Sequence, residues 1–148
     1  MDLRESLLRS TPETLGLFAV QAEPVGEMEQ PGLTSAHQVN VLVGLSQGGR
    51  GNVVLGMSRK GALKIVGGMM GGMVVAELDD LGKSALAELG NMLVGSGVRA
   101  VSTPEGLDIS PPTVVLGDRV FLFISRVPSR VLNFRTEDGP FAVRFSLE

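Results

Sequence analysis

The 148-residue sequence lacks several residue types on which common kinds of site depend. It has no cysteine, which excludes disulfide bonds, thiol catalysis and zinc–thiolate sites. It has no tryptophan or tyrosine and only six phenylalanines, so aromatic stacking on bases or sugars is not expected. No stretch approaches ~18 uninterrupted apolar residues, and the first leucines are separated by charges, so neither a membrane span nor a signal peptide is expected. A cytoplasmic location is the default expectation.

Clustered positive charge is also missing from the sequence. The 13 Lys and Arg residues are outnumbered by 16 Asp and Glu, which gives a net charge of −3. Binding to a phosphate backbone needs clustered Lys and Arg, so we expect no nucleic-acid partner. The single histidine, His37, stands at the start of a predicted strand and is expected to be an exposed polar residue. No His and carboxylate residues have the spacing of metal ligands, so no metal site is predicted.

The hydrophobic pattern predicts one domain over residues 1–148, in which residues 1–34 form an N-terminal helix and a connecting loop. The expected class is α+β, an antiparallel β-sheet layered with two long helices. Helices are predicted over residues 3–19, 59–70 and 79–98, and residues 22–34 form the loop. Strands are predicted over residues 37–45, 52–57, 107–116 (broken by two prolines), 119–126, 130–135 and 141–147.

Two glycine motifs resemble nucleotide-binding sequences. Gly82-Lys83-Ser84 is similar to the end of a P-loop, but Glu77 occupies the position of the glycine that this motif requires. Residues 95–100 match a dinucleotide-binding fingerprint, but they close a predicted helix, whereas the fingerprint opens one. Glycines at such a position are typical of a helix end. Neither motif therefore predicts a nucleotide site.

The helix predicted over residues 79–98 carries a row of small and polar residues. Ser84, Glu88, Asn91 and Gly95 align because their spacings are 4, 3 and 4 residues. We expect the row to border the buried arc and to present Glu88 and Asn91 to solvent. Gly95 would leave room for another surface to approach. From spacing alone, the row is either a solvated helix face or a functional surface. The arc expected to be buried consists of Leu81, Ala85, Leu86, Leu89, Met92 and Leu93.

Four segments together resemble the CheC/CheX family of chemotaxis phosphatases: SRKGALKIVGGMMGG, ALAELGNMLVGSGVRAV, LDISPPTVVLG and GPFAVRFSL. The resemblance covers about residues 35 to 147. The family motif is Asp or Ser, three residues, Glu, two residues, Asn, and a Pro a little over twenty residues later. Ser84, Glu88, Asn91 and Pro112 match it, the last after a spacer of twenty residues. The helix over residues 59–70 has no Glu or Asn, so the single motif is CheX-like.

The resemblance implies a CheC/CheX-like fold and hydrolysis of the aspartyl phosphate of a CheY-like response regulator. It implies that Glu88 forms an ion pair with the regulator's active-site lysine and that Asn91 orients the attacking water. Ser84, Gly95 and Pro112 are expected to bind the partner. Such chemistry needs no cofactor of the chain's own, because the partner receiver domain supplies Mg²⁺. A homodimer formed by pairing edge strands is also expected, because unpaired strand edges are a liability.

Two other functions remain open at this point. A module of the same fold could bind a receiver domain without hydrolysing its phosphate. A dimerisation module with no receiver partner would make the row on the helix coincidental.

Overall fold

The computed structural model describes residues 1–148, except for the side chains of residues 34 and 35. The chain forms the helices α1 (Leu3–Gly16), α2 (Arg59–Met69) and α3 (Asp80–Arg99). Its strands are β1 (Glu23–Gln30), β2 (Leu33–Ser35), β3 (Val39–Gln47), β4 (Gly51–Met57), β5 (Leu107–Ile109), β6 (Thr113–Leu116), β7 (Phe121–Phe123), β8 (Ser129–Thr136) and β9 (Gly139–Leu147). The expected α+β class is confirmed, although three helices rather than two long ones cover the sheet.

Seven strands form one antiparallel sheet in the order β1-β8-β9-β4-β3-β5, and β6 also pairs with β3. Strand β2 pairs with β7 in a separate two-stranded sheet. The predicted alternation in β3 is confirmed, because Val39, Val41 and Val43 are all buried on one face. The three helices cover that face and enclose the core with it. None of these helices is both long enough and apolar enough to cross a membrane.

Capping residues fix where the helices begin. The predicted cap Ser58 is confirmed, because its hydroxyl accepts a hydrogen bond from the Gly61 N–H at 3.1 Å. Helix α1 ends at Gly16, three residues earlier than predicted, and continues through Pro12 without interruption. Its buried side packs against α3, with Leu7 and Leu15 fully enclosed. Helix α1 therefore supports α3 by direct packing.

The prediction of a connecting loop over residues 22–34 is wrong, because β1 lies there and pairs with β8. Because this segment contains proline, glycine and glutamate, its sequence does not alternate between apolar and polar residues as a typical strand does. All three residue types are nevertheless compatible with an edge strand, where few N–H groups need partners. A bulge follows Pro24. The carboxylate of Glu27 forms ion pairs with Arg4 and Arg130, which link β1 to α1 and to β8. The hydrogen bond from Arg4 and that from Arg130 lower the pKa of Glu27 to about 2.

The last predicted strands are mostly confirmed. Two prolines separate β5 from β6, as expected. The strand predicted over residues 119–126 is shorter than expected and lies in the two-stranded sheet with β2, not in the main sheet. Phe121 and Phe123 in this strand are exposed, so packing of their side chains in the core does not stabilise a longer strand.

Candidate active site

Helix α3 presents the motif residues from a rigid support. Its N-terminus is capped by Asp79, whose carboxylate accepts a hydrogen bond from the Gly82 N–H at 2.9 Å. One side of the helix packs on β3, β5 and β6. The residues buried there are Gly82, Leu86, Leu89, Gly90, Leu93, Val94, Gly95, Gly97 and Val98. The predicted buried arc is therefore correct for its leucines from Leu86 onwards.

Leu81 is an exception to that arc. It was expected to be buried, but 65% of its surface is exposed. The reason is that Leu81 lies seven residues before Glu88, so both side chains project from the exposed side of α3. The expected position of Leu81 is therefore wrong.

Ser84, Glu88 and Asn91 are all exposed. They occupy the side of α3 opposite to Leu86 and Leu93, so they lie at the middle of the exposed face, not at the border of the buried arc. Glu88 and Asn91 are three residues apart and thus neighbours on the helix surface. Within the described part of the chain, neither side chain takes part in an ion pair or a side-chain hydrogen bond. Both groups are therefore free to act on a second molecule.

Pro112 lies against α3 at Gly90, on the side of the helix that packs on the sheet. A β-carbon added to Gly90 would be 3.5 Å from both Cβ and Cγ of Pro112 and 2.8 Å from Cγ1 of Val41. The glycine thus allows the helix to approach both the sheet and the β5–β6 connection. The structure brings Pro112 next to the residue that precedes Asn91, although twenty residues separate the two in sequence.

Gly95 does not leave room for an outside surface, so that expectation is wrong. The residue is buried, and other groups of the same chain fill the space that a side chain on Gly95 would take. A β-carbon there would be 3.3 Å from Nη1 of Arg99 and 3.7 Å from Cδ1 of Ile109. Gly95 therefore accommodates its own neighbours at the end of the polar row.

Comparison with known proteins shows which family the chain belongs to. A family model described as chemotaxis phosphatase CheX matches residues 39–134, which include all four motif residues. The CheY-P phosphatase CheX of Thermotoga maritima is 35% identical over 115 residues, 76% of this chain and 71% of the relative. The chain belongs to the CheX family. The resemblance seen in the sequence is thereby confirmed.

Solved CheX structures share the fold. A chemotaxis protein CheX from Desulfovibrio desulfuricans matches with a TM-score of 0.88 and 22% identity, over the full length of both chains. A chain in the CheX–CheY–BeF3–Mg²⁺ complex from Borrelia burgdorferi matches with a TM-score of 0.80 and 23% identity, over 100% of this chain and 99% of that one. The predicted CheX-like fold is confirmed by both.

The other candidate residues of this CheX-family chain lie away from the row. His37 was expected to be exposed, but it is half-buried, and its ring occupies the space that a side chain on Gly56 would take. Burial lowers the pKa of His37, and the nearby Arg144 guanidinium lowers it further. The Gly82 N–H is occupied by the Asp79 cap, so the P-loop-like sequence offers no free phosphate cradle there.

Gly90 helps to shape the site, but the sequence analysis does not single it out. Its signal is present in the sequence, because a glycine inside a helix is unfavourable and often marks a close approach.

Proposed function

We propose that this chain is a phosphatase that hydrolyses the aspartyl phosphate of a CheY-like response regulator. Membership of the CheX family and the identity to a CheY-P phosphatase support the proposal. The Borrelia complex, in which a structural relative is bound to CheY, supports the choice of partner. The observation that carries the proposal is the pair Glu88 and Asn91, exposed side by side and free of internal partners.

Asn91 acts on the attacking water in this proposal. An amide can donate one hydrogen bond and accept another, so it can hold a water molecule in line with the phosphorus. The water oxygen forms the new bond to phosphorus while the bond between phosphorus and the aspartyl oxygen breaks. The products are the free aspartate carboxylate and inorganic phosphate. Because an acyl phosphate is already activated, positioning alone accelerates its hydrolysis, and no nucleophile of the chain is needed.

Glu88 positions the partner. Its carboxylate forms an ion pair with the active-site lysine of the receiver domain and so holds the two surfaces in register. Because Glu88 lies one turn from Asn91, this contact fixes where the Asn91 amide enters the partner's site. Ser84 and Pro112 flank the pair and belong to the same partner-binding surface.

The receiver domain supplies the Mg²⁺ that neutralises the phosphoryl group. In the described residues of this chain, no group of three or more His, Asp or Glu side chains could hold a metal ion. The proposal therefore assigns the cation to the partner, together with the carboxylates that bind it.

We further propose that the chain forms a homodimer through the β2–β7 sheet. Leu33 faces Phe123 across the two strands, and Phe121 lies on the same face as Phe123 because side chains alternate along a strand. Phe121 and Phe123 are 70% and 67% exposed, and Leu33 is also exposed. The outer edges of both strands are unpaired in this sheet. A second copy would cover the apolar face and pair an open edge.

One assay separates the proposed phosphatase from the two other functions. Phosphate release from a phosphorylated CheY-like receiver is measured with and without this chain, together with binding of the receiver. A phosphatase accelerates release. A receiver-binding module binds without accelerating it, and a dimerisation module does neither.

A further inference from the structure

The exposed face of α3 continues beyond the polar row in both directions. Leu81 lies seven residues before Glu88, and Arg99 lies eleven residues after it. At ~100° per residue, both spacings bring these side chains to within about 20° of Glu88 around the helix. Leu81 and Arg99 are both exposed. The polar row is thus the middle of a longer surface with an apolar end and a cationic end.

The apolar end of the surface is Leu81, which is 65% exposed. A single exposed leucine is ordinary on a protein surface, but this one shares the exposed face of α3 with Glu88. Met73 and Val74 are exposed as well, but they line a groove with Phe18 and Leu63 beside α2, so they do not belong to this surface.

The cationic end is held close to Asn91. Nη1 of Arg99 lies 3.3 Å from the position of a β-carbon on Gly95. Because β-carbons four residues apart on a helix are about 6 Å apart, this nitrogen is within about 10 Å of the Asn91 β-carbon. No acidic side chain in the described part of the chain forms an ion pair with Arg99. Its charge is therefore available to a second molecule.

We propose that the receiver-docking surface extends along α3 from Leu81 to Arg99, with an apolar contact at Leu81 and an electrostatic contact at Arg99. The inference rests on the proposed function, because its occupant is the phosphorylated receiver domain. The eighteen residue steps from Leu81 to Arg99 span about 27 Å of helix. A standard interface of about 800 Å² per partner is about 32 Å across. One receiver domain is therefore wide enough to contact both ends.

The contacts proposed at Glu88 and Asn91 place the lysine and the phosphorylated aspartate of the receiver over the middle of α3. Acidic groups of the receiver that extend from there toward the end of the helix would meet the positive charge of Arg99.

The experiment measures the affinity of the full chain for a purified CheY-like receiver domain loaded with BeF3⁻ and Mg²⁺. Leu81→Ser should weaken binding about tenfold at both ~50 and ~500 mM salt, because an apolar contact is not screened. Arg99→Gln should weaken binding by about threefold to tenfold at ~50 mM salt and by less than about twofold at ~500 mM. Arg99→Lys, which keeps the charge, should restore most of the affinity at low salt.

Two matched controls come from other surfaces. Val25→Ser removes an exposed apolar side chain from β1, at the sheet edge remote from the strands under α3. Arg126→Gln removes an exposed cation from the segment after β7. Both should bind as the wild type does. If either Leu81→Ser or Arg99→Gln also keeps wild-type affinity at both salt concentrations, the proposal is wrong. Phosphate release is measured separately, so failure to hydrolyse counts against the proposed function alone.

Discussion

Pro112 lies directly against Gly90, so that a β-carbon on this glycine would be 3.5 Å from two atoms of the proline ring. The contact joins the β5–β6 connection to the turn of α3 that carries Asn91. The position of the Asn91 amide therefore depends on a packing contact as well as on the helix itself.

Gly90→Ala should disturb this contact. The added methyl group would lie 2.8 Å from Cγ1 of Val41, a buried side chain that cannot move aside freely. Overpacking of this kind costs about 1–3 kcal/mol, which exceeds the gain of up to ~1 kcal/mol in helix propensity. We expect a lower free energy of unfolding and a lower turnover rate. Urea unfolding and phosphate release test both, with Gly16→Ala as the control, because nothing lies within 4 Å of its added methyl group.

Asn91→Ala should remove the group that orients the attacking water. We expect turnover to fall roughly 10²–10³-fold with little change in KM, by analogy with the loss of other positioned polar groups. Because Asn91 is exposed, the free energy of unfolding should change by less than about 1 kcal/mol. Steady-state phosphate release and thermal unfolding measure these effects, and Gln21→Ala removes an exposed amide elsewhere as a control. Near-normal turnover in a folded Asn91→Ala variant would contradict the water-positioning role.

Glu88→Ala should weaken docking more than it slows the chemical step. It removes one half of an intermolecular ion pair, whose loss costs ~2–5 kcal/mol when the pair is desolvated and less when it stays hydrated. We expect a higher KM and a weaker affinity for the BeF3⁻-loaded receiver. Glu29→Ala, an exposed carboxylate on β1, should behave as the wild type does. A Glu88→Ala variant with unchanged affinity would rule out the ion pair.

The stability of the chain should fall between pH 7 and pH 5 because of His37. Burial and then Arg144 lower its pKa in the folded state, so the unfolded chain takes up a proton more readily as the pH falls below about 6.5. Stability from this group is therefore present above the unfolded pKa and is lost as the pH falls. Denaturant midpoints at pH 7.5 and 5.5 measure the loss. His37→Gln should reduce the difference between the two midpoints. If the difference is unchanged in this variant, groups other than His37 cause the loss of stability.

Phe123→Ser should convert the proposed homodimer to a monomer. The change places a hydroxyl in the apolar face that the second copy would cover. Light scattering at tens of micromolar, on the order of ordinary assay concentrations, measures the mass of each form. Val25→Ser on β1 should leave the dimer intact. A wild-type chain that is already monomeric under these conditions would contradict the proposed assembly.

The elements that the sequence predicted well are those with a strong local pattern. Alternating valines in β3 and the serine cap of α2 depend on neighbours in sequence, so they were readable without the fold. Strand β1 was missed because its proline, glycine and glutamates give no alternation. Only its pairing with β8 makes it a strand, and pairing between residues about a hundred positions apart leaves no local signal.

The sequence by itself determined that Ser84, Glu88 and Asn91 share one face of a helix, because the helical period depends only on spacing. Tertiary structure decided the rest of the site. Packing of α3 on the sheet turned that face fully to solvent. The same packing placed Pro112 against Gly90. This contact joins distant parts of the chain, and spacing along one helix does not contain it.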